Sequence, residues 1–142
     1  MSLTPAEARD AIQDAFNAAW GVPGSELTPI AYDNVPFDAS KIDVPWVRLS
    51  IQFASGSIQT LGGVGERTFR NFGIVFVQVF TIAGSNAVIN DGFAKTAKDV
   101  FKGVQLSAGG LWFRNTSIVT VGNEGKWYQQ NVSAEFIYDE TE

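Results

Sequence analysis

The chain has 142 residues, of which 45% are hydrophobic and 18% are charged, a composition typical of one globular domain spanning residues 1–142. Its 10 lysines and arginines stand against 15 aspartates and glutamates, a formal net charge of −5. A protein that holds DNA or RNA mainly through phosphates needs a basic surplus. The acidic balance therefore argues against tight nucleic-acid binding.

Two residue types that support much of enzyme and metal chemistry are missing, because the chain contains neither cysteine nor histidine. This excludes disulfides, thiolate or imidazole ligands for zinc, and serine–histidine or cysteine–histidine nucleophiles. We therefore predict a protein that is not an enzyme and that uses no metal or cofactor. A carboxylate-only or lysine-based active site stays open at this point.

No segment of the sequence has the pattern of a signal peptide or a membrane span. The first ten residues lack a basic lead and an apolar core. The longest mostly apolar run, Gly73–Ala83, is too short to cross a bilayer as a helix. These features predict a soluble, intracellular protein without a membrane partner.

The chain begins with the pattern of a capped amphipathic helix. Thr4 and Glu7 have the spacing of a capping box, and Pro5 suits the first turn. One apolar stripe follows at four-residue spacing, and Gly21 ends the helix. The stripe consists of Ala8, Ile12, Phe16 and Trp20.

Three strands and a long loop are predicted next. A short strand is expected at Pro29–Tyr32, and a half-buried strand at Val47–Phe53 with Trp46 on its opposite side. The glycine-rich segment Ala54–Gly65 is expected to be a mobile loop. Phe69–Ile82 is apolar on both faces near its middle, which indicates a central strand.

The second half of the chain repeats the order of a helix followed by strands. Gly84-Ser85-Asn86 is expected to cap a helix that runs to about Lys102, with an apolar stripe of Ile89, Phe93, Ala97, Val100 and Phe101. Two short strands, a turn, a last strand with its even positions mostly apolar, and a frayed acidic tail complete the prediction. These are Leu111–Asn115, Ser117–Val121, Gly122–Gly125, the strand from Trp127 to Tyr138, and Asp139–Glu142.

This order of elements predicts an α+β fold, a mixed, mostly antiparallel β-sheet with two α-helices packed on one face. Such an arrangement leaves the other sheet face to be covered by something else. Because part of that face is apolar, we expect it to contact another subunit or a partner protein.

Several clusters allow a functional interpretation beside an ordinary structural one. Gly62–Gly65 lacks the Lys-Ser/Thr and the helix that a phosphate loop requires, and the acidic groups lack the order of a calcium loop. Glutamates could form a glycosidase pair, although nothing in the sequence brings two of them together. Tryptophans 46, 112 and 127 could form a sugar platform, a protein interface or part of the core. Four arginines could pair with acidic residues of another subunit or be solvated: Arg48, Arg67, Arg70 and Arg114.

Over nearly its whole length the sequence resembles the small tail terminator proteins of long-tailed, lambda-like bacteriophages. The resemblance is one of order and spacing, without a single diagnostic motif. It is carried by Ala31-Tyr32-Asp33-Asn34 with Pro36, Pro45-Trp46-Val47-Arg48, Gln59-Thr60-Leu61-Gly62, Arg67, Gly73–Phe80, Gly125–Gln129 and Phe136-Ile137-Tyr138.

The resemblance implies a tail-terminator-like subunit that closes into a hexameric ring on the head-proximal end of the tail tube. Such a ring stops tube polymerisation and receives the head-completion or neck protein, while DNA passes through without specific binding. The protein would then be assembled in the host cytoplasm and reside in the virion tail. The loop Ala54–Gly65 is the segment expected to order against the tube.

The candidate interface residues are Trp46, Arg48, Thr60, Leu61, Arg67, Arg70 and Trp127. Two other classes of function stay open. One is another phage neck or minor tail component, such as a head–tail connector or a tube subunit. The other is a sugar-binding module that uses the tryptophans.

Overall fold

The computed structural model describes residues 3–21, 28–54, 56–58, 68–106 and 110–141. They form two α-helices, seven β-strands and a 3-10 turn at Ala39–Lys41. In chain order these elements are α1 (Pro5–Trp20), β1 (Ile30–Tyr32), β2 (Trp46–Phe53), β3 (Ser57–Ile58), β4 (Thr68–Ile82), α2 (Ala87–Phe101), β5 (Gln105–Leu106), β6 (Leu111–Glu124) and β7 (Trp127–Thr141).

All seven strands belong to one sheet with the order β1-β2-β4-β7-β6-β5, and β3 pairs with β4 beside this path. Only β1 and β2 run parallel, and every other described pair is antiparallel. The α+β prediction is therefore confirmed. The central strand is β4, which pairs along its length with β7 and over half of it with β2.

Helix α1 forms where the capping pattern predicts it. The Glu7 amide donates to Thr4 Oγ1 and the Thr4 amide donates to Glu7 Oε1, both at 3.2 Å. The predicted stripe of Ala8, Ile12, Phe16 and Trp20 is fully buried. Gly21 ends the helix with φ of 107°, a backbone conformation that favours glycine.

The core lies between the two helices and one face of the sheet. Strands β2 and β4 supply aliphatic side chains in register, and β6 and β7 supply both aliphatic and aromatic ones. Phe101 of α2 lies 4.9 Å from Phe113 and 6.4 Å from Phe16, ring centre to ring centre. This packing ties both helices to the same sheet face, as predicted.

Helix α2 has the predicted cap at Asn86 and buries most of the predicted stripe: Ala97 and Phe101 are buried, Phe93 and Val100 pack against the core, and Ile89 is the exception. Ile89 is 50% exposed, and the neighbouring Asn90 is fully buried. The Asn90 side-chain nitrogen donates to the carbonyls of Val79 and Tyr128 at 3.2 and 3.1 Å and to Thr81 Oγ1 at 3.0 Å. These hydrogen bonds satisfy the side-chain nitrogen of Asn90 in the core, a contact that an apolar pattern cannot reveal.

The predicted strands Leu111–Asn115 and Ser117–Val121 are one continuous strand, β6, which is irregular at two points. The first irregularity contains Asn115 at φ of 54° and the second adjoins Gly122 at φ of 102°. The predicted turn at Gly122–Gly125 is also displaced, because β6 runs to Glu124 and the turn is Gly125-Lys126. Bulges keep a strand paired while its local sequence looks like a loop.

Two segments that were predicted to be irregular contain β-strand residues in the structure. The tail beyond Tyr138 continues β7 to Thr141, because Asp139 and Glu140 pair with Arg70 and Phe69 of β4. Within the predicted loop Ala54–Gly65, residues 57 and 58 form β3 on β4. Residue 55 and residues 59–65 of that loop lie outside the described residues.

Candidate interaction surface

The sheet face opposite the helices is lined by alternating residues of β2, β4 and β7 that pair across the strands. We call it the open face, because no helix of the described chain packs on it. It consists of Trp46, Arg48, Ser50, Gln52, Phe72, Ile74, Phe76, Gln78, Phe80, Trp127, Gln129, Asn131, Ser133, Glu135 and Ile137. Most of these side chains are half-buried, and the apolar ones concentrate on β4.

An aromatic cluster occupies one end of the open face. Trp46 stacks on Phe80 with 4.1 Å between ring centres and on Phe37 with 4.8 Å, and Trp127 meets its edge at 6.0 Å. Trp46 is only 4% exposed. This predicted interface residue therefore lies inside its own chain, where it holds the segment around Phe37 against the sheet.

The segment that joins β1 to β2 is fastened to the same end of the sheet. Lys126 Nζ donates to the Ile42 carbonyl and to Asp43 Oδ1, both at 2.6 Å. The same ammonium lies 5.2 Å from the Trp127 ring centre. Trp127, a predicted interface residue, is half-buried in this arrangement.

A groove of about 440 Å³ opens between this segment and β2. Arg48 and Ser50 of β2 line one side of it, and its other lining residues run from Ala31 to Phe37. The Arg48 guanidinium is exposed and lies 5.5 Å from the Trp46 ring centre. Within the described chain it has no carboxylate at ion-pair distance.

Asp33, the acidic residue of this groove, is already neutralised by its own chain. Its Oδ2 atom accepts from Arg9 Nη1 and from the Ile51 amide, both at 2.9 Å. Burial raises the pKa of Asp33, but these hydrogen bonds outweigh it and hold the pKa below its ordinary value. The groove consequently has one unpaired charge, the Arg48 cation.

Arg70 lies at the other end of the open face. Its Nε and Nη2 atoms donate to the two carboxylate oxygens of Asp139 at 3.0 and 3.1 Å, and its guanidinium lies 5.1 Å from the Trp112 ring centre. The hydrogen bond to Asp139 raises the pKa of the Arg70 guanidinium. Arg70 thus pairs within its own chain, as does Arg114, which lies 3.6 Å from Glu135.

The predicted interface residues are therefore divided between two ends of the sheet. Trp46, Arg48 and Trp127 lie at one end. Arg70 lies at the other end, because on β4 it is twelve positions away from Ile82, which pairs with Trp127. That is a distance of about 40 Å along the strand. Thr60, Leu61 and Arg67 lie outside the described residues. Trp127 is the first residue of β7, and Trp112 pairs with Ile137 near the other end of that strand. The tryptophans therefore do not form one sugar platform.

The outer edge of the sheet at β6 is largely free. Strand β5 pairs only with Leu111 and Trp112, and no other described strand covers the outer side of β6. This strand exposes three apolar side chains, Ile118, Val119 and Val121. Sequence reasoning missed this edge and the groove, although the turn residues Asn34 and Pro36 marked the segment that forms the groove.

The part of the chain that the structure describes contains neither a cluster of metal ligands nor a membrane-spanning helix. No group of three or more acidic side chains is placed to hold a metal ion. No described helix is long and apolar enough to cross a membrane.

Comparison with known proteins gives a fold but no family. No family model matches the chain, and no curated protein matches it. Twenty-two chains of solved structures do match. One of them, a protein whose name states no function, has 17% sequence identity and a TM-score of 0.66, with 96% of each chain covered. At this identity the similarity shows that the fold occurs elsewhere.

Proposed function

We propose that this chain is a virion structural protein, a phage tail terminator whose copies close into a ring on the head-proximal end of the tail tube. The ring would stop tube polymerisation and offer a surface to the head-completion protein. The observation that carries the proposal is the open face, which leaves apolar sheet surface without a covering layer. The resemblance of the sequence to tail terminators is the reason for proposing a ring on the tail tube as the assembly that covers this surface.

The apolar part of the open face is concentrated on the central strand. Phe72, Ile74, Phe76 and Phe80 are each half-buried, although β4 has strands on both sides. A small domain usually covers such a row with helices or a second sheet. A row of this kind that is left partly exposed is typical of a surface that another protein covers.

The two edges of the sheet differ, which suits a ring. In a head-to-tail ring, each copy offers one surface to the neighbour on one side and a different surface to the neighbour on the other. Here one edge has the groove beside β1, and the other has the free side of β6 with its exposed valines. Two unlike edges allow a closed arrangement without a two-fold axis.

The charge of the chain is compatible with DNA passage. Each subunit has a formal net charge of −5, so a ring of several subunits is strongly negative. Like charges repel, and DNA that passes such a ring is not retained by it.

The test is the mass of the assembly in solution. We expect light scattering to give a closed oligomer, either for the chain alone or after tail tube protein is added. Phe76→Glu places a charge on the open face and is expected to abolish the oligomer, whereas the same change at the exposed Val88 of α2 is the matched control. A wild-type chain that stays monomeric at high concentration and with tube protein contradicts the proposal.

Electron microscopy distinguishes the terminator from other phage neck or tail components. A labelled terminator is expected once per tail, at the end next to the head. A label that repeats along the tube indicates a tube subunit, and a label confined to the head side of the neck indicates a connector.

A further inference from the structure

The groove beside β1 contains a cation that its own chain does not neutralise. Arg48 is the exception among the described arginines, since the other three have a carboxylate within 4 Å. Those pairs are Arg9 with Asp33, Arg70 with Asp139, and Arg114 with Glu135. A guanidinium binds a carboxylate through two parallel hydrogen bonds, so the groove fits a carboxylate supplied from outside the subunit.

Three carboxylates in the described chain have neither a hydrogen bond nor an ion pair: Asp10, Asp14 and Glu124. Asp10 and Asp14 belong to α1, whose Arg9 bonds Asp33 in the groove itself. Both are exposed, and α1 belongs to the helix layer, which packs on the sheet face opposite the open face. Glu124 lies at the end of β6, on the far side of the strand order from β1 and β2.

Position on the sheet also favours Glu124. It pairs with Trp127, and Arg48 pairs with Gln78, so both charged residues belong to the open face or its border. On the same strand, Val121 is 51% exposed. The groove offers Val35, which is 55% exposed, and the adjoining Pro36 as an apolar wall.

We propose that, in the ring, Glu124 of one copy binds Arg48 in the groove of the next copy, with Val121 packed on the wall formed by Val35 and Pro36. A head-to-tail ring joins unlike surfaces of neighbouring copies, and these two surfaces lie at opposite edges of the sheet. The proposal rests on the ring-forming function proposed above and identifies the contact that joins the copies.

Charge reversal tests this contact directly. Arg48→Glu and Glu124→Arg each place like charges at every contact between identical copies, so each alone is expected to weaken assembly about tenfold or more. In an equal mixture of the two variants, alternating copies bring opposite charges together at every contact. Light scattering, with tube protein present, is expected to show the ring mass recovered in the mixture and in the double variant.

Asp14→Arg makes the same charge change at a free, exposed carboxylate of α1 and is expected to leave the ring mass unchanged. Circular dichroism confirms that each variant is folded, and the milder Arg48→Ala and Glu124→Gln replace any variant that is not. Single variants that assemble like the wild type overturn the proposed contact. So does a mixture that fails to recover the ring.

Loss of neck-protein or tube attachment in Arg48→Glu, with the ring mass unchanged, assigns the groove to that other partner and also overturns the contact. Failure of the wild-type chain to form any ring, alone or with tube protein, is a different result. It contradicts the proposed function rather than the choice of residues.

Discussion

The two faces of the sheet use the same strands but are completed in different ways. On the helix side, β2 and β4 present Val47, Leu49, Val75, Val77 and Val79, all with at most 1% of their surface exposed. One residue along, the same strands present half-buried aromatic rings beside glutamine, serine and arginine. The difference shows that alternation places side chains on a face, whereas a second layer is needed to remove that face from water.

The largest expected loss of stability comes from removing a buried aromatic ring on the helix side, and the matching removal on the open face should cost less. Phe136 is fully buried on the helix side, so Phe136→Ala is expected to lower the free energy of unfolding by about 3–5 kcal/mol. Phe76→Ala on the open face removes a ring that is still partly in water and should cost the monomer about 1–2 kcal/mol. Urea denaturation of the monomer measures both, and equal costs would contradict the distinction between the faces.

Gly73 sharpens the comparison because it lies directly beneath the Phe136 ring. A Cβ atom at this position would overlap that ring and lie 2.6 Å from the Gln52 carbonyl oxygen. Gly73→Ala is therefore expected to destabilise the monomer by about 2–3 kcal/mol. Gly92→Ala is the control, since nothing lies within 4 Å there and a helical alanine should stabilise by up to about 1 kcal/mol. Thermal unfolding that shows the same sign for both variants would refute this account.

The polar contact between α2 and the sheet should have a smaller effect. Asn90→Ala leaves two strand carbonyls without their side-chain donor and is expected to cost about 1–3 kcal/mol. Ile89→Ala, at the position that the apolar pattern favours, should stay within about 0.5 kcal/mol because the side chain is half exposed. A larger loss at Ile89 than at Asn90 in chemical denaturation would contradict the placement of these two residues.

The smallest effect concerns the Asp33 carboxylate and depends on pH. Because its pKa in the folded chain lies below the ordinary value of 3.8, the folded state binds that proton more weakly than the unfolded state. Asp33 therefore stabilises the fold above that ordinary value and loses this contribution as pH falls through the folded pKa. Asp33→Asn should be less stable than the wild type at pH 7, and the gap should close towards pH 3. A gap that stays constant in denaturation curves across this range would contradict the assignment.

Local patterns predicted most of the secondary structure. The capping box at Thr4 is a contact between near neighbours in the chain. The four-residue spacing that ends at Trp20 and the alternation along β2 and β7 follow from the repeat geometry of helices and strands. The fold class followed from the order of these elements. Predictions failed at Ile89 and between Leu111 and Val121, where a buried asparagine and two strand bulges depend on residues far away in sequence.

The candidate surface was predicted less completely than the fold. Trp46 was placed correctly on the side of β2 away from the core pattern, but its burial under Phe37 and Phe80 could not be inferred, because three separate segments meet there. For Arg70 the sequence left open an acid of another subunit or solvent, whereas the structure pairs it with Asp139 of its own chain. That Arg48 has no carboxylate partner among the described residues depends on the tertiary structure, which pairs Arg9, Arg70 and Arg114 with acids of distant segments or strands.

By itself, the sequence determined the residue chemistry and the local conformations: an acidic chain without cysteine or histidine, two amphipathic helices, and strands with alternating faces. These properties depend on composition and on neighbours a few positions apart. The tertiary structure decided which strands became edges, which charges found partners and which apolar row stayed uncovered. Those outcomes depend on which distant segments pack together, and that arrangement leaves the open face, the β6 edge and Arg48 available to another chain.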